Sequence, residues 1–306
     1  MKNMEILKCV PRRLVVEKGK PYAPWYDEAE TMFDTAGSVP LLRFRSFETP
    51  QAAWMDLAFT TKQGGVSKGY LQSLNLGWDR GDDRANVCEN YKRACRAFGT
   101  DYRRLVLSDQ VHDTKILYVD ENYAAGEEVE KKMKGVDGLV TDVAGLTLAT
   151  SYADCVPLFL MDPVKHIIAS SHSGWRGTVA RIGEKTVRYM EQMGSRAKDL
   201  VVLVGPSICQ DCYEVSEDVA EQFRAAYTNE QCEKILEKGR WFEGQRYQLD
   251  LWSANWYQFM EAGILPENIH IAGICTCCNA EILFSHRATG GRRGNLNGLM
   301  TIRTSY

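Results

Sequence analysis

Cys155, His112 and His172 are the residues of this chain whose types and spacing could carry chemistry. One thiolate and two imidazoles are a ligand set for a catalytic zinc ion, which takes three protein donors and keeps a fourth position open. Without an ion, the same residues would make a nucleophile pair, with Cys155 as thiolate and His172 or His112 as base. A third reading is a buried cysteine beside two hydrogen-bonded histidines. The stretch Leu146 to Met193 must position them. Within it, the apolar runs Val156 to Met161 and His166 to Ser171 flank the turn signal Asp162-Pro163-Val164-Lys165 and predict a β-hairpin. With the turn centred between Pro163 and Val164, Cys155 stands opposite His172 at the open end, beside Asp154. Opposite Cβ atoms on such a pair lie about 4.5–5.5 Å apart. His112 ends a strand just ahead of the hairpin and is the best third ligand by polar context and strand-end position. His166 falls inside an apolar strand and reads as a core or edge histidine.

An anion site is predicted next to this centre. Ser173-Gly174-Trp175-Arg176-Gly177-Thr178 runs into a helical pattern with Val179, Ile182, Thr186, Met190 and Met193 on one face. Thr178 is the expected N-cap. Arg176, Gly177 and the amides of Thr178 and Val179 then form a phosphate cradle at a helix start. Lys62 with Gly64 and Gly65, after a strand at Leu57 to Thr61, could add backbone approach to a ligand. That loop lacks the ending of a P-loop and the spacing of a dinucleotide fingerprint. Asp154 and Gln110 are expected to orient the ligands or relay protons. Of the remaining cysteines, Cys209-x2-Cys212 has zinc-site spacing. The second group, Cys275, Cys277 and Cys278, reads as CTCC without it, so buried free thiols are expected there.

The elements around these motifs alternate. A helix is predicted from Asp82 to Phe98, stopped by Gly99, and others follow Ser216 and Asp250. Strands are predicted at Leu105 to Val111, Lys115 to Val119, Asp199 to Val204 and Ile269 to Cys275. Before residue 50, Glu5 to Val10, Leu14 to Glu17 and Leu41 to Phe47 read as edge strands, with a short helix near Asp27 to Phe33. Helices alternating with hairpin-joined strands predict an α/β fold with mixed sheets. The expected division is an N-terminal extension, residues 1–40, and one catalytic domain, residues 41–306.

Composition narrows the function. The chain has 306 residues, 44% hydrophobic and 25% charged, as in ordinary globular proteins. A net charge of −3 gives no reason to expect nucleic acid or a membrane as partner. No apolar run is long enough to span a bilayer, and no signal peptide is visible. Ten cysteines without a secretion signal point to reduced thiols and a cytoplasmic location. A multicopper oxidase needs more histidines than the five present, and no His-x-His pair occurs. The His-x-Glu and Pro-Cys-x-x-Cys signature of cytidine-deaminase-type enzymes is also absent.

The segments TTKQGGVSKGYLQSLNLG, SDQVH, DGLVT, ADCVPLFLMDP, SHSGWRGTVA, GPSICQDCYEV, LDLWSANWYQFMEAGI, ICT and LFSHR follow one another in the order of the laccase-domain family. That family is also called the YfiH/YlmD-like polyphenol oxidases, or purine nucleoside phosphorylases of the FAMIN type. The resemblance spans residues 40–303. It implies an α/β sandwich with mixed sheets, related to bacterial toxin cysteine deamidases. It also implies one catalytic zinc on the histidine of QVH, the cysteine of ADC and the histidine before GWRG, here His112, Cys155 and His172. The implied activity is phosphorolysis of adenosine, inosine, guanosine and methylthioadenosine with inorganic phosphate, plus adenosine deamination, by a monomer or homodimer. Arg287 of the SHR motif joins the substrate-binding set. Two alternatives stay open: polyphenol oxidation with copper, and a metal-free Cys–His amidohydrolase acting on a cell-wall precursor or other amide. The chain departs from the family at Lys62, where many members have Arg, and at Ser171. It departs again at GGRRGNLNGLM, which leaves open whether Arg292 or Arg293 acts.

Overall fold

A computed structural model describes residues 16–17, 20–21, 30–35, 37–241 and 244–304. Its centre is the predicted hairpin, Val156–Asp162 paired antiparallel with Ile167–Ser173. Every residue of both strands is buried, which is why they read as continuous apolar runs rather than alternating ones.

The hairpin register differs from the sequence expectation by two residues. The Asp162 carboxylate accepts the amides of Val164 at 2.8 Å and Lys165 at 2.9 Å. This side-chain turn extends the loop through His166, and pairing starts at Asp162–Ile167. His172 therefore faces Pro157, and Cys155 stands opposite Gly174 just past the end of the ladder. A slip of two keeps every side chain on its expected face. Cys155 and His172 thus remain diagonal neighbours on one side of the sheet. His166 lies in the turn, not in the strand, with φ 54° and its ring stacked on Trp54 at 4.5 Å.

Two six-stranded sheets form the body. The first runs in the order Ile269–Ile271, Val201–Val204, Val156–Asp162, Ile167–Ser173, Gly138–Thr141, Ile116–Tyr118, with parallel pairs only at its two edges. The second runs Thr31–Asp34, Leu41–Phe44, Met55–Thr60, Leu296–Ile302, Thr147–Tyr152, Leu105–Leu107, parallel only at its last pair. Of the helix expected near Asp27 to Phe33, residues 27–29 lie outside the described residues, and Thr31–Asp34 is a strand, whose partner strand supplies the hydrogen bonds that local propensity alone would give to a helix. The strand expected at Glu5 to Val10 lies outside the described residues.

Strand alternation builds four layers. Phe159 and Met161 of the first sheet meet Phe59, Leu148 and Met300 of the second in a core between the sheets. Leu158 and Leu160 point the other way, against Ile182, Val187 and Met190 of the helix Ile182–Gln192 and Phe259 of the helix Leu251–Glu261. On the far face of the second sheet, Ala58, Ala149 and Leu299 pack on Val87, Tyr91, Ala94 and Phe98 of the helix Arg84–Phe98. That helix is capped by Asp83 and ended by left-handed Gly99, as its sequence signals require. The result is a mixed-sheet α/β sandwich. Among the described residues, no helix is long and apolar enough to cross a membrane.

The inter-sheet core leaves no room at Gly298. A Cβ there would lie 2.3 Å from the Phe159 ring. Gly298→Ala should therefore lower stability by about 1–3 kcal/mol, the usual cost of overpacking a filled core. Urea unfolding would read this as an earlier midpoint at unchanged slope, and an unchanged midpoint would refute the packing described.

Candidate metal centre

Asp137, immediately before the strand Gly138–Thr141, is fully buried. Such a carboxylate is tolerated only if hydrogen-bonded throughout. Its oxygens accept the amides of Val111, His112 and Asp113 at 3.0, 3.0 and 3.1 Å, and Oδ1 also lies 2.9 Å from His172 Nδ1. Burial pushes the carboxyl pKa up, but the hydrogen bond and charge of His172 and the loop amides outweigh it and hold the group below its ordinary value. An ionised carboxylate can only accept, so His172 Nδ1 carries the proton and Nε2 is the nitrogen left for a ligand. The same carboxylate ties down the loop of His112, whose backbone sits at φ 65°.

Cys155 completes the group. Its Sγ is 3.9 Å from His112 Nε2, and the ligand atoms of His112, Cys155 and His172 all lie within 4.8 Å of one another. Gly174 leaves the space they use. A Cβ at that position would stand 3.0 Å from His112 Cδ2 and 3.2 Å from the Cys155 sulfur. Burial pushes the Cys155 thiol up, but His172 and His112 overcome this and bring it down to about 6. The facing shift on His172 is upward, to about 9: burial lowers it, while the Cys155 thiolate and Asp137 raise it more. A thiolate beside two imidazoles, open on one side, can hold a metal ion.

Asp154 and Gln110 sit beside this centre with their polar atoms committed. Asp154, at φ 88°, accepts Thr276 Oγ1 and the Arg287 amide, both at 2.6 Å. These two bonds tie it to the loops of Thr276 and Arg287. Gln110 Oε1 accepts the Ser151 amide and the Ser108 hydroxyl, and Nε2 donates to the Ser151 carbonyl at 2.8 Å.

A cleft of about 400 Å³ opens at His112 and Cys155. Four arginines line it: Arg80, Arg176, Arg287 and Arg293. Trp175 and Tyr213 add aromatic faces, with the Arg176 and Arg287 guanidinium groups at 4.3 and 5.2 Å from their respective ring centres. Arg293 is only 9% exposed and its Nε has no partner. Burial and the neighbouring Arg80 push its pKa down to about 10. Arg292 instead covers the Tyr70 ring, at 5.3 Å. Of the two tail arginines, Arg293 lines the cleft and Arg292 does not.

The helix-start cradle is corrected. The helix is a short turn, Trp175–Val179, with Gly174 as N-cap, and it breaks at left-handed Arg181. The Thr178 amide is taken by the Gly174 carbonyl at 2.8 Å, and its hydroxyl by Ser173 and Gly174. Thr178 and Gly177 are buried in this turn rather than presented to the cleft, while Arg176 reaches it. Lys62 and Gly64 line a different cavity, next to Ser285 and Thr289, and Lys62 donates to the Ala280 carbonyl at 2.5 Å. Gly65 is packed on the Ser73 carbonyl, with no space for a Cβ. The sequence reading missed Asp137, although DGLVT stood among its motifs, and it missed Arg80 and Tyr213.

Residues 56–303 match the family model described as multi-copper polyphenol oxidoreductase laccase. A relative from Bacillus subtilis (strain 168), named purine nucleoside phosphorylase YlmD, is 36% identical over 241 residues, which are 78% of this chain and 85% of the relative. A protein named adenosine deaminase RL5, from an unknown prokaryotic organism, is 34% identical over 240 residues, 78% of this chain and 90% of that protein. The crystal structure of YlmD from Geobacillus stearothermophilus superposes with a TM-score of 0.81 at 32% identity, covering 90% of this chain and 99% of the other.

Asp137→Asn should weaken metal binding by about 10–100-fold, the usual cost of losing the group behind a ligating histidine. The asparagine has one acceptor where the carboxylate met four donors. Competition with a chromogenic chelator measures the loss, and an unchanged affinity would remove Asp137 from this role.

Proposed function

The chain belongs to the multi-copper polyphenol oxidoreductase laccase family, and we propose that it is a zinc-dependent purine nucleoside phosphorylase with adenosine deaminase side activity. The observation that carries this reading is the juxtaposition of the His112–Cys155–His172 group with a cleft walled by four arginines. Its volume of about 400 Å³ lies in the range of small-ligand pockets, about 300–1,000 Å³. The substrates are adenosine, inosine, guanosine and methylthioadenosine, with inorganic phosphate as the second reactant. The names carried by YlmD and RL5 support the two activities.

One thiolate and two imidazoles favour zinc over a multicopper assembly, which would need more histidines than this centre has. When bound, the ion supplies a Lewis acid at the cleft. His112, Cys155 and His172 hold it, and Asp137 keeps the proton on His172 Nδ1 and so fixes the ring. Arg80, Arg176, Arg287 and Arg293 bind phosphate and offset its charge as its oxygen forms a bond to the ribose anomeric carbon. The bond from that carbon to the purine nitrogen breaks, and the base leaves with the electron pair and gains a proton. Trp175 and Tyr213 offer flat apolar faces that suit a purine. Asp154 holds the Arg287 backbone in place.

One observation favours a second reading. The Cys155 thiol is brought down to about 6 beside His112 and His172, which is the state of a nucleophilic cysteine in a metal-free hydrolase of amides.

Incubation of inosine with and without phosphate separates the two. Hypoxanthine and ribose 1-phosphate should form only with phosphate and zinc and should vanish with a chelator. The absence of these products from inosine, together with chelator-resistant hydrolysis of an amide that is lost in Cys155→Ser, would establish the hydrolase instead. Arg293→Ala and Arg176→Ala should each raise the KM for phosphate about tenfold or more, as expected for losing a hydrogen bond to a charged group. An unchanged KM in both variants would remove the arginines from phosphate binding.

A further inference from the structure

Cys209, Cys212, Cys275 and Cys278 bring four sulfurs to within 4.8 Å of one another. We propose that they form a second, structural zinc site, separate from the His112–Cys155–His172 centre and outside its chemistry. All four thiols are free. The spacing is two C-x2-C pairs, Cys209-x2-Cys212 and Cys275-x2-Cys278, on two loops 63 residues apart. The second pair is hidden in the sequence by Cys277, which stands between its members and makes the run read as CTCC.

The geometry fits a single tetrahedral ion. Zinc–sulfur bonds of about 2.3 Å put tetrahedral sulfurs about 3.8 Å apart. The Cys212 and Cys278 sulfurs are 3.5 Å apart, far beyond a disulfide bond of about 2.05 Å. An iron–sulfur cube would need its ligand sulfurs spread around a cage of irons and sulfides, and 4.8 Å leaves no space for one. Two backbone amides suit a ligating sulfur. The Cys275 sulfur accepts the amide of Cys209 at 3.2 Å and of Cys278 at 3.4 Å, so one N–H from each loop points at it. Such bonds orient and stabilise a ligating thiolate. The two loops are also registered on each other by the parallel bridge between Ser207 and Cys275.

The position gives the ion a task. The Cys212 carbonyl accepts Arg287 Nη1 at 3.3 Å, and Thr276, inside the second pair, donates to Asp154 at 2.6 Å. Tyr213 follows Cys212 directly and lines the cleft. Both loops lack long regular structure. A zinc ion would lock them together and so hold one wall of the cleft.

The test is metal stoichiometry in the full chain. His112→Ala/His172→Ala, which removes the other centre, should retain one zinc per chain by inductively coupled plasma mass spectrometry. Reloaded with cobalt, that variant should show the intense sulfur-to-cobalt charge-transfer absorption of an all-thiolate site. Cys212→Ser/Cys278→Ser should lose one zinc equivalent and melt earlier, and Cys277→Ser should lose none. A histidine variant that carries no metal while all four thiols react freely with a disulfide reagent in the native state overturns the proposal. So does iron in place of zinc. The histidine variant decides the matter even where the cysteine variant does not fold.

Discussion

One buried carboxylate sets the geometry of this protein's chemistry. Asp137 lies at the entrance of a strand with no exposure, and it meets three loop amides and one imidazole N–H. Its own carbonyl also accepts the His172 amide at 2.7 Å. A neutral side chain could not satisfy this many donors at once. The desolvation penalty of burying the charge is offset only while all of them stay in place, so the loop at His112 and the hairpin edge at His172 are locked to each other. The two imidazoles arise on separate elements, and Asp137 is hydrogen-bonded to both residues, whose rings also meet edge to face at 4.8 Å.

Around that lock, strain and space are arranged on purpose. His112 and Asp154 both adopt left-handed backbone, which costs a non-glycine residue about 1–2 kcal/mol each. Strain of this kind persists where neighbouring contacts over-determine the conformation. The amides accepted by Asp137 do so for His112, and the two bonds of the Asp154 carboxylate do so for Asp154. The turn at Asp154 delivers the next residue, Cys155, to the open end of the hairpin, where Gly174 leaves the gap that its sulfur fills. Asp154 also joins the hairpin to Thr276 and Arg287, so the His112–Cys155–His172 group and the arginine wall share one connector.

Much of this was legible in the residues. The hairpin followed from its two buried runs, and the parity of its register kept Cys155 and His172 on one face even though the turn was placed one residue early, which shifts each pairing by two. That error came from Asp162, whose side chain replaces a backbone turn, a choice that composition does not reveal. The helix at Arg84–Phe98 carried its own cap and stop and was read directly. The strand Thr31–Asp34 was misread because its fate depends on a neighbouring strand and not on local pattern. The arginine wall was only half visible. Arg176 and Arg287 sit in motifs and Arg293 was one of two candidates in the tail, but Arg80 was not singled out, and no spacing encodes the meeting of all four. The CTCC run shows the opposite failure, where an extra cysteine concealed a spacing that was present.

The electrostatics of the cleft follow from this convergence. The chain as a whole carries a net charge of −3, yet four guanidinium groups share one concave wall. Arg293 is buried, and its Nη1 donates to the Gly294 carbonyl and the Asn295 side chain, neither of which is charged. A buried cation without a carboxylate beside it is held at a cost, visible as the downward shift produced by burial and Arg80. Asp154 and the Cys155 thiolate offset part of it, but both are engaged elsewhere. Only a further anion would relieve the remainder. Arg293 lines the 400 Å³ cleft and also the smaller cavity of about 140 Å³ at Gln110, Ser151 and His172. An anion drawn to it would therefore sit between the arginine wall and the thiolate–imidazole group, within reach of a substrate held at either.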